Sequence, residues 1–494
     1  MKIVNAADQN YWLSQFVFTR ALALVYLIAF LCALNQAKPL IGEHGLLPLT
    51  TWVREVPFRA TPSLFYLWPN DRALTIASWC GIVFSCLLLS GTALRYSSAI
   101  AAAAWLLVWV LYLSFVNIGQ TFYGFGWESL LLEAGFFAMF LGGNRIAPPL
   151  IGTWMFRWLE FRLMFGAGLI KLRGDPCWRD LTCLNYHYQT QPMPNPLSWY
   201  FHWAPQWTHT GGVLFNHFSE LIVPFGYLLP QPIGSIAAII TIVFQGAIMA
   251  SGNLSWLNFL TIVLAIPLIA TPLSPGRWLA AIIPIRPPAL SPPGNLHSAL
   301  LVVLAIVVGI LSVQPIRNML SPTQAMNASF NPFHLVGTYG AFGSVTRQRF
   351  EVIIEGARDD VVTASTQWTA YEFKGKPGDP SRMPPQIAPY HLRLDWLMWF
   401  AAFSTYEQHP WFVHLMGKLL EGDRDTLGLL ASNPFPDKPP RFVRAQLYEY
   451  KFATPEEHRK TGAWWTRRFV DSYFPAVSLN DPGFVGVLRR QGWL

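Results

Sequence analysis

Residues 151–205 read IGTWMFRWLEFRLMFGAGLIKLRGDPCWRDLTCLNYHYQTQPMPNPLSWYFHWAP. The part up to Lys171 is long and apolar enough to cross a bilayer, which takes about 20 residues of helix. Yet it carries Arg157, Glu160, Arg162 and Lys171. Charge at membrane depth is costly, so such groups pair with one another or line a cavity. At about 100° per residue, Glu160 and Lys171 fall within about 60° of Arg157, while Arg162 points the other way. The spacing predicts either a polar seam facing a cavity, or an Arg157–Glu160 pair plus a lysine whose head reaches the interface. Residues 172–208 have too much charge and proline for a span and are expected to form an extramembrane loop.

The chain on either side of this stretch has two solvents. It is 52% hydrophobic and 13% charged over 494 residues, against a charged fraction of roughly a quarter in soluble proteins. Residues 1–314 hold 15 Lys/Arg and 10 Asp/Glu, whereas 315–494 hold 20 and 17. That asymmetry predicts a helical transmembrane domain over 1–314 and a soluble domain over 315–494. Apolar windows at 12–34, 73–94, 97–117, 128–141, 151–171, 209–229, 234–251, 254–271 and 298–314 give a multi-pass α-helical membrane protein of eight or nine spans, the fourth window being short. The first window reads as a retained anchor.

With the N-terminus in the cytoplasm, nine spans put Arg95, Arg145, Arg277 and Arg286 on cytoplasmic loops and leave 118–127, which has no Lys or Arg, outside. The C-terminal domain is then extracytoplasmic. The net charge of +8 follows from basic residues flanking spans. With no basic aromatic-interleaved helix, no nucleic-acid partner is expected; membrane lipid is.

Beyond Gln314, QRFEVIIEG, QWTAYEFKG and RFVRAQLYEYKF are strand-like. LRLDWLMWFAAFSTY, WFVHLMGKLL and DTLGLLA between them are apolar enough for helices. A soluble α+β domain results.

Cys32, Cys80 and Cys86 lie in apolar windows and read as buried thiols. Cys177 and Cys183 lie in the loop on the oxidising side, where a short-range disulfide is expected. Zinc is the rival, with His187 near, but two cysteines without a second pair are a weak signal, so no metal is expected. Trp199, Tyr200, Phe201, Trp203 and Trp207 suit an aromatic collar at the membrane–water interface. Arg173, Asp175, Arg179 and Asp180 add a compact charged surface beside it. His217 and Glu220, three apart, could move protons or join helices, and Glu128 and Glu133 add carboxylates. No phosphate loop, nucleophile elbow or His-Glu-x-x-His motif occurs, and no cofactor is expected.

The block LRGDPCWRDLTCLNYHYQTQPMPNPLSWYFH, with NHFSELIVPF, YGAFGSVTRQRFEVIIEG, YEFKGKPGDP, APYHLRLDWLMWFAA and NPFPDKPPRFVRAQLYEYKF, resembles the lipase maturation factor family over most of the chain. The resemblance implies an endoplasmic reticulum membrane protein that helps secreted lipases fold and assemble, with the soluble domain implicated in client binding. FGAGLIKLRGDPCW is similar, more distantly, to the membrane domain of vitamin K-dependent carboxylase. That similarity implies a candidate catalytic base at Lys171.

Two functions are therefore carried forward. The first is a maturation factor for lipases or similar exported clients, its contacts sought among Arg173, Asp175, Trp178, Arg179, Asp180, His187, Trp199 and His202. The second is a membrane enzyme acting on a lipid-soluble substrate through Lys171, Glu160, His217 and Glu220. The site is the endoplasmic reticulum membrane for a eukaryotic source and the inner (plasma) membrane for a bacterial one. The ending LRRQGWL shows no retrieval signal, and the short loops suit the latter.

Overall fold

A computed structural model describes residues 8–271 and 288–493. Arg277 and Arg286, used above for orientation, lie outside the described residues. The bundle is built from α1 (Trp12–Ile41), α2 (Asp71–Leu89), α3 (Ser98–Ile118), α4 (Gly126–Ala138) and α5 (Leu150–Arg173). Two loop helices follow, α6 (Leu184–Thr190) and α7 (Ser198–His202). The chain then returns through α8 (Gln206–His217), α9 (Val223–Tyr227), α10 (Ile233–Ser251), α11 (Leu257–Ala265) and α12 (Asn295–Leu311).

Five helical segments among the described residues are long and apolar enough to cross a membrane: Gln9–Ile41, Asp71–Leu89, Ser98–Ile118, Ile233–Ser251 and Asn295–Leu320. The remaining windows are shorter, charged or interrupted. α1 is the hub, and small residues let its neighbours close on it, as membrane helices require. A Cβ on Gly81 would collide with the Phe30 ring, and one on Gly135 with the Tyr26 hydroxyl.

The window at 209–229 is not one helix. Pro224 cannot donate an N–H to the carbonyl four residues back, and its ring crowds that carbonyl. The chain accommodates this with a π-turn over Phe218–Ile222, between α8 and α9.

The C-terminal domain carries a four-stranded antiparallel sheet in the order β2-β1-β3-β4, from β1 (Arg349–Ala357), β2 (Thr369–Ala370), β3 (Phe442–Phe452) and β4 (Trp465–Val477). Helices α13 (Arg393–Ala401) and α14 (Pro410–Glu421) are inserted before β3. QWTAYEFKG contributes only two residues to the sheet. Beyond them the backbone turns to wrap the buried Asp395 carboxylate, which accepts from the Gly375 and Lys376 amides at 2.6 and 3.1 Å. DTLGLLA is helical only in its first turn, within Arg424–Leu427. β4 escaped the sequence because Arg467, Arg468, Asp471 and Pro475 break its alternation; those are the residues an edge strand tolerates and a central one does not.

One apolar core runs from Phe18 in the bundle to Leu488 near the end of the chain. Four polar clamps lock the sheet domain to the membrane part. Arg393 donates to Glu128 and to the Phe122 carbonyl, at 2.6 and 2.8 Å. Gln36 exchanges hydrogen bonds with the His391 carbonyl and the Arg393 amide. Asn253 Oδ1 accepts from the Ile387 and Ala388 amides, both at 2.8 Å. Arg349 reaches the carbonyls of Gln189, Gln191 and Pro192 in the loop while held by Glu351.

Candidate functional site

Between the bundle and the C-terminal domain lies a cavity of about 1050 Å³. Its walls come from α5, α8, α10 and α11, from the loop helix α6, and from the 339–346 turn with α13.

Lys171, in the last turn of α5, is a buried charge facing it. Its ammonium donates to Glu220 Oε1 at 2.6 Å and to Asn216 Oδ1 at 2.8 Å, and Asn216 Nδ2 donates to Glu220 Oε2 at 3.1 Å. The three side chains close a ring. Asn216, in α8, and Glu220, in the π-turn, are four apart and so share a face. The ammonium also stands 5.0 Å from the centre of the Trp178 ring. A desolvated ion pair needs this completeness of partners. Opposite, Asn258 donates to Gln245 at 2.6 Å, putting a second polar pair on the wall.

The remaining members of the anticipated seam do not join them. Arg157 donates to the Tyr11 hydroxyl and the Leu229 carbonyl, not to Glu160. Glu160 is fully buried, with no hydrogen-bond donor to either oxygen among the described residues. Arg162, on the opposite face, forms a two-nitrogen pair with Glu133 and donates to the Gly337 carbonyl at 2.7 Å. His217 is not among the residues lining the cavity, and its Nε2 donates to the Trp178 carbonyl at 2.9 Å. The enzyme set of Lys171, Glu160, His217 and Glu220 thus reduces to one assembled pair, Lys171 with Glu220. Helical phase identified who shares a face, but each partner was chosen by a different neighbouring helix.

The loop residues separate into structural and exposed groups. Asp175 caps the following turn through the Cys177 amide and takes a two-nitrogen bond from Arg347 at 2.8 and 3.0 Å. That guanidinium pulls its carboxyl down to about 2. Trp178 is buried and donates to the Phe342 carbonyl. The Cys177 and Cys183 sulfurs meet, with Cα atoms 4.8 Å apart. His187 lines the cavity, its ring edge-on to Phe342, and burial followed by the Lys171 charge brings it down to about 4.

Trp199 is not a lipid-facing collar residue. It is buried, donates to the Ala453 carbonyl at 2.8 Å, and packs on Trp464. Trp203 shares that carbonyl. His202 is half-buried against Phe452, and burial brings it too down to about 4. Arg173, Arg179 and Asp180 are exposed, as are Tyr200, Trp203 and Trp207 among the anticipated collar residues. Among the described residues no group of three His, Cys, Asp or Glu side chains could hold a metal.

Asn216, Gln245 and Asn258 were passed over in the sequence. The signal for Asn216 is in NHFSEL, where it stands four residues before Glu220.

Fold and site define a polytopic membrane protein whose extramembrane domain forms one side of a partly polar cavity. The lipase maturation factor transmembrane domain matches residues 13–273, and the lipase maturation factor C-terminal domain matches 335–475. The chain is 44% identical to lipase maturation factor 1 of Bos taurus, over 96% of this chain and 90% of that protein. It is also 44% identical to lipase maturation factor 1 of Homo sapiens, over 98% and 91%. Lipase maturation factor 2 of Xenopus laevis is 29% identical over 97% of the chain and 84% of that protein. No solved structure matches. The chain belongs to the lipase maturation factor family.

Proposed function

We propose that this protein is a membrane-embedded, chaperone-like factor that helps secreted lipases or similar exported clients fold and assemble. The observation that carries it is the likeness to lipase maturation factor 1 across 96% of the chain, spanning both halves of the molecule. The exposed surface offers matching chemistry. β4 is an edge strand, with Arg467, Arg468, Phe469 and Val470 solvent-facing. Arg173, Arg179 and Asp180 add exposed charge on the loop. Arginine and aromatic side chains typically dominate protein interfaces.

In this reading, 1–314 is the membrane unit and 315–494 the client-facing unit. Counting 126–138, 150–173, 206–227 and 257–268 beside the five long segments gives nine crossings, which put the C-terminal domain on the lumenal or extracytoplasmic side. Cys177 and Cys183 form a disulfide there. The compartment is the endoplasmic reticulum or a bacterial inner membrane.

Expression in cells lacking their own lipase maturation factor 1 tests the function. Restored secretion of active lipase is expected; a correctly inserted protein that restores none overturns it. For topology, an impermeant thiol reagent should label Ser365→Cys only from the non-cytoplasmic side.

A further inference from the structure

The cavity wall holds hydrogen-bonding capacity that the protein itself leaves unused. Lys171 spends two N–H bonds on Asn216 and Glu220 and has a third to give. In the 341–344 turn, the Phe342 and Gly343 carbonyls are taken by the Trp178 indole and the Asp175 amide. The amides of Ala341, Phe342, Gly343 and Ser344 have no acceptor among the described residues, and all four residues line the cavity. Phe342 is left-handed, with φ 56°. Successive amides around such a residue form a concavity that suits an anion.

The charge on the lining has the same sense. Its Asp, Glu, Lys and Arg members are Lys171, Glu220 and Arg173. Lys171 and Glu220 cancel, and exposed Arg173 leaves one positive charge at the aqueous rim. Away from that rim Leu163, Met164, Phe215, Phe244, Ile248 and Leu257 from the membrane helices give the wall an apolar stretch, beside the paired Gln245 and Asn258. A volume of about 1050 Å³ lies at the top of the range for small-molecule sites.

We infer that this cavity binds one long-chain anionic amphipath, its carboxylate or phosphate head at Arg173 and the 341–344 amides and its chain along the apolar wall. A neutral lipid leaves that charge and those amides to water, whereas an anionic head takes them in charge-assisted hydrogen bonds. Free fatty acid and lysophospholipid acid share the required chemistry.

Full-length protein in detergent micelles is photolabelled with a palmitate analogue carrying a diazirine near the chain end, and the adducts are mapped by peptide mass spectrometry. Adducts are expected within 163–171 and 244–258. Arg173→Glu should lower their yield at least fivefold. Arg173 is exposed, and among the described residues its guanidinium hydrogen-bonds to Gln324 alone, so the variant should elute like the parent on gel filtration. Excess palmitate or palmitoyl lysophosphatidic acid should suppress labelling, and the stronger competitor identifies the source. Hexadecanol competing as well as either acid would overturn the inference. So would adducts spread along the outward face of Asn295–Leu311 with Arg173→Glu labelled like the parent.

Discussion

The Arg393 guanidinium, carried by the C-terminal domain, donates to Glu128 in the membrane bundle at 2.6 Å, with both side chains fully buried. The Tyr112 hydroxyl donates to the same carboxylate, and the guanidinium stacks 3.5 Å from the centre of the Tyr123 ring. This contact is one of the four polar clamps that tie the two halves together. Removing one partner of a buried pair typically costs about 3–5 kcal/mol, because the other charge is stranded. Arg393→Ala should therefore lower Tm sharply and expose the 126–138 helix to hydrogen exchange. Glu128→Gln with Arg393→Met should recover most of the loss. A single Arg393→Ala variant as stable as the parent would show that the halves hold together without the pair.

Acidification should loosen the same seam. His391 sits beside Glu128 and His187 beside the cavity, and burial, ahead of the neighbouring Arg393 or Lys171 charge, brings each to about 4. An unfolded histidine takes its proton near pH 6.5. Below that pH the unfolded chain binds more protons than the fold, so stability declines as pH falls from about 6.5 toward 4, by on the order of 1–2 kcal/mol per histidine at pH 5. Tm measured from pH 7.5 to 5 should fall, and His391→Gln should flatten the slope. An unchanged slope in that variant would remove His391 from the account.

The Asp175–Arg347 bond and the Cys177–Cys183 contact fix the shape of one short loop rather than the global fold. Arg347 is half-exposed, and such pairs contribute roughly 0–1 kcal/mol. Because the Asp175 carboxyl is pulled down to about 2, the bond is fully present above about pH 4 and is lost as pH falls through 2. A disulfide closing so short a loop stabilises by about 2 kcal/mol. Cys177→Ser with Cys183→Ser should speed amide exchange across 174–190 while lowering Tm only a few degrees. Non-reducing peptide mapping should find the two cysteines linked; two free thiols in native protein would end the disulfide proposal.

Five long apolar helices and two of the strands were legible because hydropathy and period-two alternation are local properties. Partnerships were not. Arg349 and Glu351 alternate on one strand with apolar neighbours, yet nothing local says that Arg349 will bind three loop carbonyls more than 150 residues away. Trp199 looks like an interfacial ring until Ala453 supplies its acceptor. The π-turn before Pro224 carries Glu220, and the sequence alone shows only its four-residue spacing from Asn216 and the proline that follows. What remained hidden was the choice among distant partners, which packing of the whole chain decides.

Lys171 separates a structural ion pair from a catalytic one. Its side chain is buried, and Lys171→Ala would leave Glu220 uncompensated, a destabilisation of about 3–5 kcal/mol on general grounds. That variant alone therefore says nothing about chemistry. Lys171→Met with Glu220→Met removes both charges and keeps comparable volume, and apolar replacement of a whole buried pair is often neutral or stabilising. If the pair holds α5 to the π-turn, the double variant should express, elute and melt like the parent, and should retain most of its ability to support lipase secretion. A proton-transferring lysine cannot be replaced in that way, because methionine carries no titrating nitrogen. A double variant that folds normally but supports no secretion would therefore reassign Lys171 from holding the helices together to acting on a substrate.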